Sequence, residues 1–335
     1  MRKTKILLFL LGFLVLLLGI SENVIDESNN QNISVVISDN MQHARVFFES
    51  IEKHDLFIDL NRIGPNSIMG IEVIGLVKNK FSINSMLNNN DERILMESCT
   101  DWIGPIIVRS ADNTINSESS QEFTGGWHTV TRNGLEVTTG STTSVSYYID
   151  GRFIENDTKK YGNSVEIIVT NLISGYDLIG LNNRGEIIKE IVSYKISKGA
   201  VNVSVTLEAL SDLVIERYYG LQTQNSLWDK VTYINSDNFL DSTYATYADS
   251  CSGLKSDGEV IFTDYELTSN LLNLRVCLDT SFGLGNFGNL NSDLPYIFTK
   301  EYGKTYFNLI NGKPVSLLKG QYVQWKGSYI IKFQN

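Results

Sequence analysis

Three short segments concentrate the side chains that could do chemistry. In Phe123-Thr-Gly-Gly-Trp-His128, the glycines Gly125 and Gly126 let the backbone turn sharply and approach a ligand. Trp127 offers a flat apolar face, and the imidazole of His128 suits proton transfer near neutral pH. The rival reading is a structural turn whose histidine caps a backbone group. In Glu216-Arg-Tyr-Tyr-Gly-Leu-Gln-Thr-Gln-Asn225, Tyr218, Tyr219, Gln222, Gln224 and Asn225 supply hydroxyls and amides, Arg217 supplies a cation, and Trp228 follows. Planar rings beside amides that can bridge neighbouring hydroxyls are what a carbohydrate groove needs. The alternative is a strand end whose tyrosines fill the core. In Cys99-Thr-Asp-Trp-Ile-Gly-Pro-Ile-Ile-Val-Arg109, Asp101 could act as a base or make a turn. Trp102 could be a platform, and Arg109 could neutralise a carboxylate. As an expectation, His128, Tyr218, Tyr219, Arg217 and Arg109 are the catalytic candidates. Trp127, Gly125, Gly126, Asp101, Trp102, Gln222, Gln224, Asn225 and Trp228 are the ligand-binding ones.

Other chemistries have weaker footing. Gly283-Leu-Gly-Asn-Phe-Gly288 matches a dinucleotide fingerprint but lacks the strand before it and helix after it. No nucleophile elbow, phosphate loop or calcium loop occurs. Cysteine and histidine never cluster, so no metal or other cofactor is expected. The three cysteines are Cys99, Cys251 and Cys277. An oxidising destination would allow Cys251 and Cys277 to pair, with three free thiols as the alternative.

The elements that must position these segments read as strands. Residues 201–208 alternate apolar and polar with period two, the mark of an antiparallel strand with one wet face. Similar runs cover 144–149, 165–171, 186–196 and 212–219, and Asp150-Gly151 signals a tight hairpin. Residues 42–52 are the best helix candidate, 232–260 read as a surface insertion, and 280–295 as a loop. The fold class expected is all-β: one large antiparallel β-sandwich with few short helices, over residues 33–335.

The N-terminus bears on location. Arg2, Lys3 and Lys5 precede an apolar run over 6–20, which fits an export signal over residues 1–21, with an uncleaved anchor as the alternative. Residues 22–32 read as a flexible lead-in. The expectation is a secreted or cell-surface protein that meets a membrane only through that segment. A net charge of −10 argues against nucleic acid as a partner.

Taken together, the three segments resemble uncharacterised exported or phage-tail-associated proteins of low-GC bacteria. Their layout over residues 95–335 is loosely similar to the galactose-mutarotase-like β-sandwich superfamily. That family places a Gly-Gly-x-His turn early and an aromatic strand end in the middle. It closes on a run like Val315-Ser-Leu-Leu-Lys-Gly-Gln-Tyr322 and a last strand. The resemblance implies that His128 faces a sugar as acid or base. The second histidine of an epimerase is missing, because Tyr218, Tyr219 and Gln222 stand there. The reading is therefore an exported carbohydrate-interacting protein. It is either a lyase-like polysaccharide-degrading enzyme or a noncatalytic glycan-binding, cell-surface or phage-related module.

Overall fold

Alternation builds this fold. In the strand Ala200–Ala209, Val201, Val203, Val205 and Leu207 are buried while the residues between them are not, so one face belongs to a core. The computed structural model describes residues 32–49, 54–78, 92–97, 102–112, 121–180, 185–225, 228–235, 240–245, 262–291, 294–300 and 303–334. The apolar run over 6–20, Cys99, Asp101 and Cys251 lie outside them.

Three sheets make the sandwich, and every strand pairing in them is antiparallel. A six-stranded sheet runs in the order β11 (Thr158–Gly162), β1 (Ile33–Ser38), β2 (His43–Glu49), β3 (His54–Ile63), β4 (Ile68–Lys78), β5 (Glu92–Glu97). A ten-stranded sheet runs β10 (Arg152–Ile154), β9 (Gly140–Ile149), β12 (Ser164–Ser174), β13 (Glu186–Ser197), β14 (Ala200–Ala209), β22 (Tyr322–Phe333), β19 (Leu272–Leu278), β18 (Phe262–Thr268), β16 (Lys230–Asn235), β17 (Leu240–Ala245). A four-stranded sheet runs β20 (Ile297–Lys300), β21 (Lys304–Leu317), β15 (Leu213–Gln224), β6 (Ile106–Ser110). The hairpin β7 (Thr129–Arg132), β8 (Leu135–Thr138) stands apart. Buried residues of the three larger sheets, among them Ile58, Val205, Trp325, Ile215 and Phe307, join in one apolar cluster. The protein is an all-β sandwich.

Two expectations need correction. Residues 43–49 form strand β2 and not a helix. Phe47 joins Val36, Phe57 and Val77 in a second cluster on the face opposite Val46 and Phe48. A strand apolar on both faces hides its period of two. Residues 230–235 and 240–245 are strands β16 and β17 that extend the ten-stranded sheet, so the polar stretch is not wholly an insertion. The Asp150-Gly151 hairpin forms as read, both residues at positive φ, +48° and +76°, joining β9 to β10.

Candidate functional site

The Gly125-Gly126 turn is held from three sides. Both glycines sit at positive φ, +73° and +49°, where a Cβ is disfavoured. Thr124 bridges to Ile106, its N–H donating to the Ile106 carbonyl at 2.8 Å. The buried amide of Asn66 donates to the carbonyls of Gly126 and His128, each at 2.8 Å. Thr139 accepts from the Gly125 N–H at 2.9 Å and its hydroxyl donates to the His128 carbonyl. The backbone of the turn is therefore capped by Asn66 and Thr139, and the two side chains that follow the glycines are carried on a fixed base.

Trp127 uses that base to hold its ring outward, 40% exposed. A Cβ built on Gly64 would lie 2.9 Å from Cδ2, 3.1 Å from Cε3 and 3.2 Å from Cγ of the indole. Near-equal distances to three consecutive ring atoms mean that Gly64 meets the face of the ring.

His128 is half-buried and stacks obliquely on Phe123, with ring centroids 5.3 Å apart. Burial, aided by the nearby Lys304 ammonium, pushes its pKa down to about 4. The imidazole is neutral at pH 7.

Phe123 links His128 to the face of the four-stranded sheet that carries Tyr219, Phe298 and Tyr306. It packs on Tyr219 at 5.5 Å, and Tyr219 packs on Tyr306 at 5.2 Å and on Phe298 at 5.5 Å. Phe298 and Tyr306 are themselves stacked, 5.0 Å apart. Strand register explains the grouping. Gln222, Tyr306 and Phe298 are direct cross-strand partners, as are Gln224, Lys304 and Lys300 two residues along, so both rows point to one side. The side-chain oxygens of Gln222 and Gln224 are buried on this side without a hydrogen-bond donor. Lys300 places its Nζ 5.2 Å from the Phe298 ring centre.

Of the catalytic candidates, His128 and Tyr219 both pack on Phe123, which lies between them. Tyr218 points the other way, into the core, where its hydroxyl accepts from Trp325 Nε1 at 2.9 Å. Burial drives that phenol's pKa well above its usual value, so it cannot serve as a base. Arg109 donates to Glu216 at 2.8 Å, and Glu216 also accepts from the Tyr176 hydroxyl at 3.1 Å. Arg109 lies three residues along β6 from Ile106, the partner of Tyr218, or about 10 Å of strand. Arg217 follows an irregularity in β15, opposite Ile107 and Asn311.

The remaining ligand-binding candidates divide. Trp102 is buried edge-on against Tyr329 at 4.9 Å, and its carbonyl accepts from the Tyr329 hydroxyl at 2.6 Å. Asn225 is buried, donating to Thr305 at 2.9 Å and accepting from Thr223 at 3.1 Å. Trp228 is buried elsewhere. Trp102 and Asn225 are positioned as core and connection residues. Cys277 carries a free thiol, raised by burial to a pKa of about 12. Cys251, the partner expected for it, lies outside the described residues.

The inner side of the Gly125-Gly126 turn, with Trp102 and Gly104, roofs a cavity of about 30 Å³ over the ten-stranded sheet. That volume holds a water or two at roughly 10–15 Å³ each, not a sugar ring. Its floor carries a residue that sequence reading missed. Glu190 is only 7% exposed, accepts from Asn171 Nδ2 at 2.7 Å, and has its pKa raised by burial to about 7. The available signal was a glutamate in the inward register of β13, in line with Ile188, Val192 and Tyr194. Phe298, Lys300, Lys304 and Tyr306 were also missed.

No protein family matches the sequence, and no curated protein does. Among solved structures, the chain is similar to the α-galactosidase from Lactobacillus brevis, with a TM-score of 0.44 and 12% identity over 90% of this chain and 40% of that one. It is also similar to a GH36 α-galactosidase variant from Geobacillus stearothermophilus in complex with raffinose, with a TM-score of 0.44 and 11% identity over 87% of this chain and 41% of that one. A third is the galactose 1-epimerase from Lactobacillus acidophilus, with a TM-score of 0.35 and 8% identity over 91% of this chain and all of that one. The chain spans about two fifths of the length of the galactosidases.

Proposed function

We propose that the protein is a noncatalytic carbohydrate-binding module whose contact surface centres on Trp127, with His128 and Tyr219 behind it. The observation that carries this reading is the Trp127 indole, backed on one face by Gly64 and left 40% exposed on a turn locked by Asn66 and Thr139. A sugar ring presents an apolar face of C–H groups, and a rigid aromatic plane receives it at little cost in side-chain ordering. His128, neutral near pH 7, supplies a hydrogen-bonding edge beside it.

A lyase reaction needs a base and a carboxylate-neutralising cation at one place. Tyr218 and Arg109 are engaged inside the molecule, which favours binding over that chemistry. The basic and then apolar N-terminus supports an exported setting.

The test is affinity electrophoresis of the protein on gels containing neutral or acidic polysaccharides, with product length followed in parallel. Retardation that Trp127→Ala weakens roughly tenfold supports the proposal. Free migration on every polysaccharide overturns it, as does chain shortening that His128→Ala abolishes.

A further inference from the structure

A second cavity lies away from the Trp127 turn and has its own chemistry. It is lined by Arg93, Ile94 and Leu95 of β5, by Trp228, and by the 269–272 turn between β18 and β19, and its volume is about 90 Å³. At roughly 10–15 Å³ per water, it has room for several waters or for one small organic group.

Its lining brings the donor side chains of Trp228 and Arg93 beside the hydroxyl of Ser269 and the amide of Asn270. Trp228 is only 6% exposed, and its Nε1 has no hydrogen-bond acceptor. An indole nitrogen can only donate, and a buried donor without an acceptor is costly. Arg93 is exposed and has no ion pair among the described residues. Its neighbour Glu92 is committed to Arg45, 2.5 Å away. Ser269 does not supply an acceptor, because its hydroxyl oxygen already takes the N–H groups of Leu271 at 3.3 Å and Leu272 at 3.1 Å. No carboxylate stands among the described residues that line the space. Moreover, β5 is the outer strand of its sheet, paired on one side only with β4 among the described residues, so its other edge presents backbone N–H groups alongside carbonyls.

We propose that this cavity binds the carboxylate of a small acid. The Trp228 indole N–H is the buried donor and the Arg93 guanidinium is the countercharge. The shared chemistry is a carboxylate on a small carbon frame, carried by a simple organic acid or by an acidic sugar. The site does not depend on the Trp127 surface.

The indole N–H resonances of the full chain test this during titration with acetate and with glucuronate, with glucose and chloride as controls. The Trp228 resonance is assigned by its loss in Trp228→Phe. It should move saturably with the acids and stay still with glucose and chloride. Arg93→Ala, an exposed substitution, should weaken the response roughly tenfold or more, and Trp127→Ala should leave it unchanged. A response to glucuronate alone identifies an acidic sugar, whereas an equal response to acetate identifies small organic acids. A Trp228 resonance unmoved by both acids overturns the proposal. So does one moved equally by chloride, or one whose response Arg93→Ala leaves intact.

Discussion

Gly64 and Trp127 form one unit: the glycine at φ +67° lies where its missing side chain would stand 2.9 Å from the indole. A side chain at 64 would push against the ring.

Gly64→Ala therefore combines two costs, a left-handed backbone with a Cβ and a clash with the ring. The protein should lose about 1–3 kcal/mol of stability, and glycan affinity should fall about as far as in Trp127→Ala. Gly134→Ala is the control. It shares the positive φ, +76°, but has nothing within 4 Å of the added Cβ. Thermal melts should show both variants destabilised, while affinity electrophoresis should show only Gly64→Ala weakened. Equal binding by the two would detach Trp127 from glycan recognition.

His128 should titrate far below a free histidine. Its folded pKa, about 4, lies under the ordinary 6.5, mainly through burial and then through Lys304. Such a group contributes stability above pH 6.5 that is lost as pH falls through about 4. Binding should accordingly be flat from pH 8 to about pH 5. Lys304→Met should raise the midpoint seen by NMR at the imidazole without restoring 6.5, because burial is the larger cause. A wild-type midpoint near 6.5 would show the ring to be solvated.

The antiparallel plan was legible because β14 and its neighbours alternate, and because Asp150-Gly151 can hardly be anything but a hairpin turn. Residues 43–49 were not, since Phe47 fills a second cluster and erases the period. The site was legible in residue type and not in direction. Trp127 was picked for its flat ring, His128 for its imidazole as acid or base, and Tyr219 for its hydroxyl. Whether Tyr218 or its neighbour Tyr219 faces outward depends on the irregularities in β15 after Ile215 and around Tyr219, which composition does not reveal. Phe298, Tyr306 and Lys304 join the site through the register of the β20–β21 pair against β15, a strand that ends more than 70 residues earlier in the chain.

Tyr218 tests that assignment. Its hydroxyl is the acceptor for Trp325 Nε1 in the core, so Tyr218→Phe leaves a buried donor unsatisfied. The expected loss is about 1–3 kcal/mol in denaturant unfolding, with glycan binding unchanged per folded molecule. Loss of binding at full stability would instead return Tyr218 to the ligand.

Glu190 gives the sharpest pH prediction. Burial raises its pKa from 4.5 to about 7 against the opposing hydrogen bond from Asn171. A carboxyl with a raised folded pKa holds its proton longer in the native state. Its stabilising contribution is complete below pH 4.5 and is lost as pH rises toward 7, by on the order of 3 kcal/mol. Glu190→Gln keeps an oxygen for Asn171 and carries no charge at any pH. The variant should match the wild type near pH 4.5, exceed it at pH 8, and lack the decline between them in urea unfolding. Greater instability of Glu190→Gln at pH 8 would mean that the ionised carboxylate is held by a cation, and the burial argument would fail.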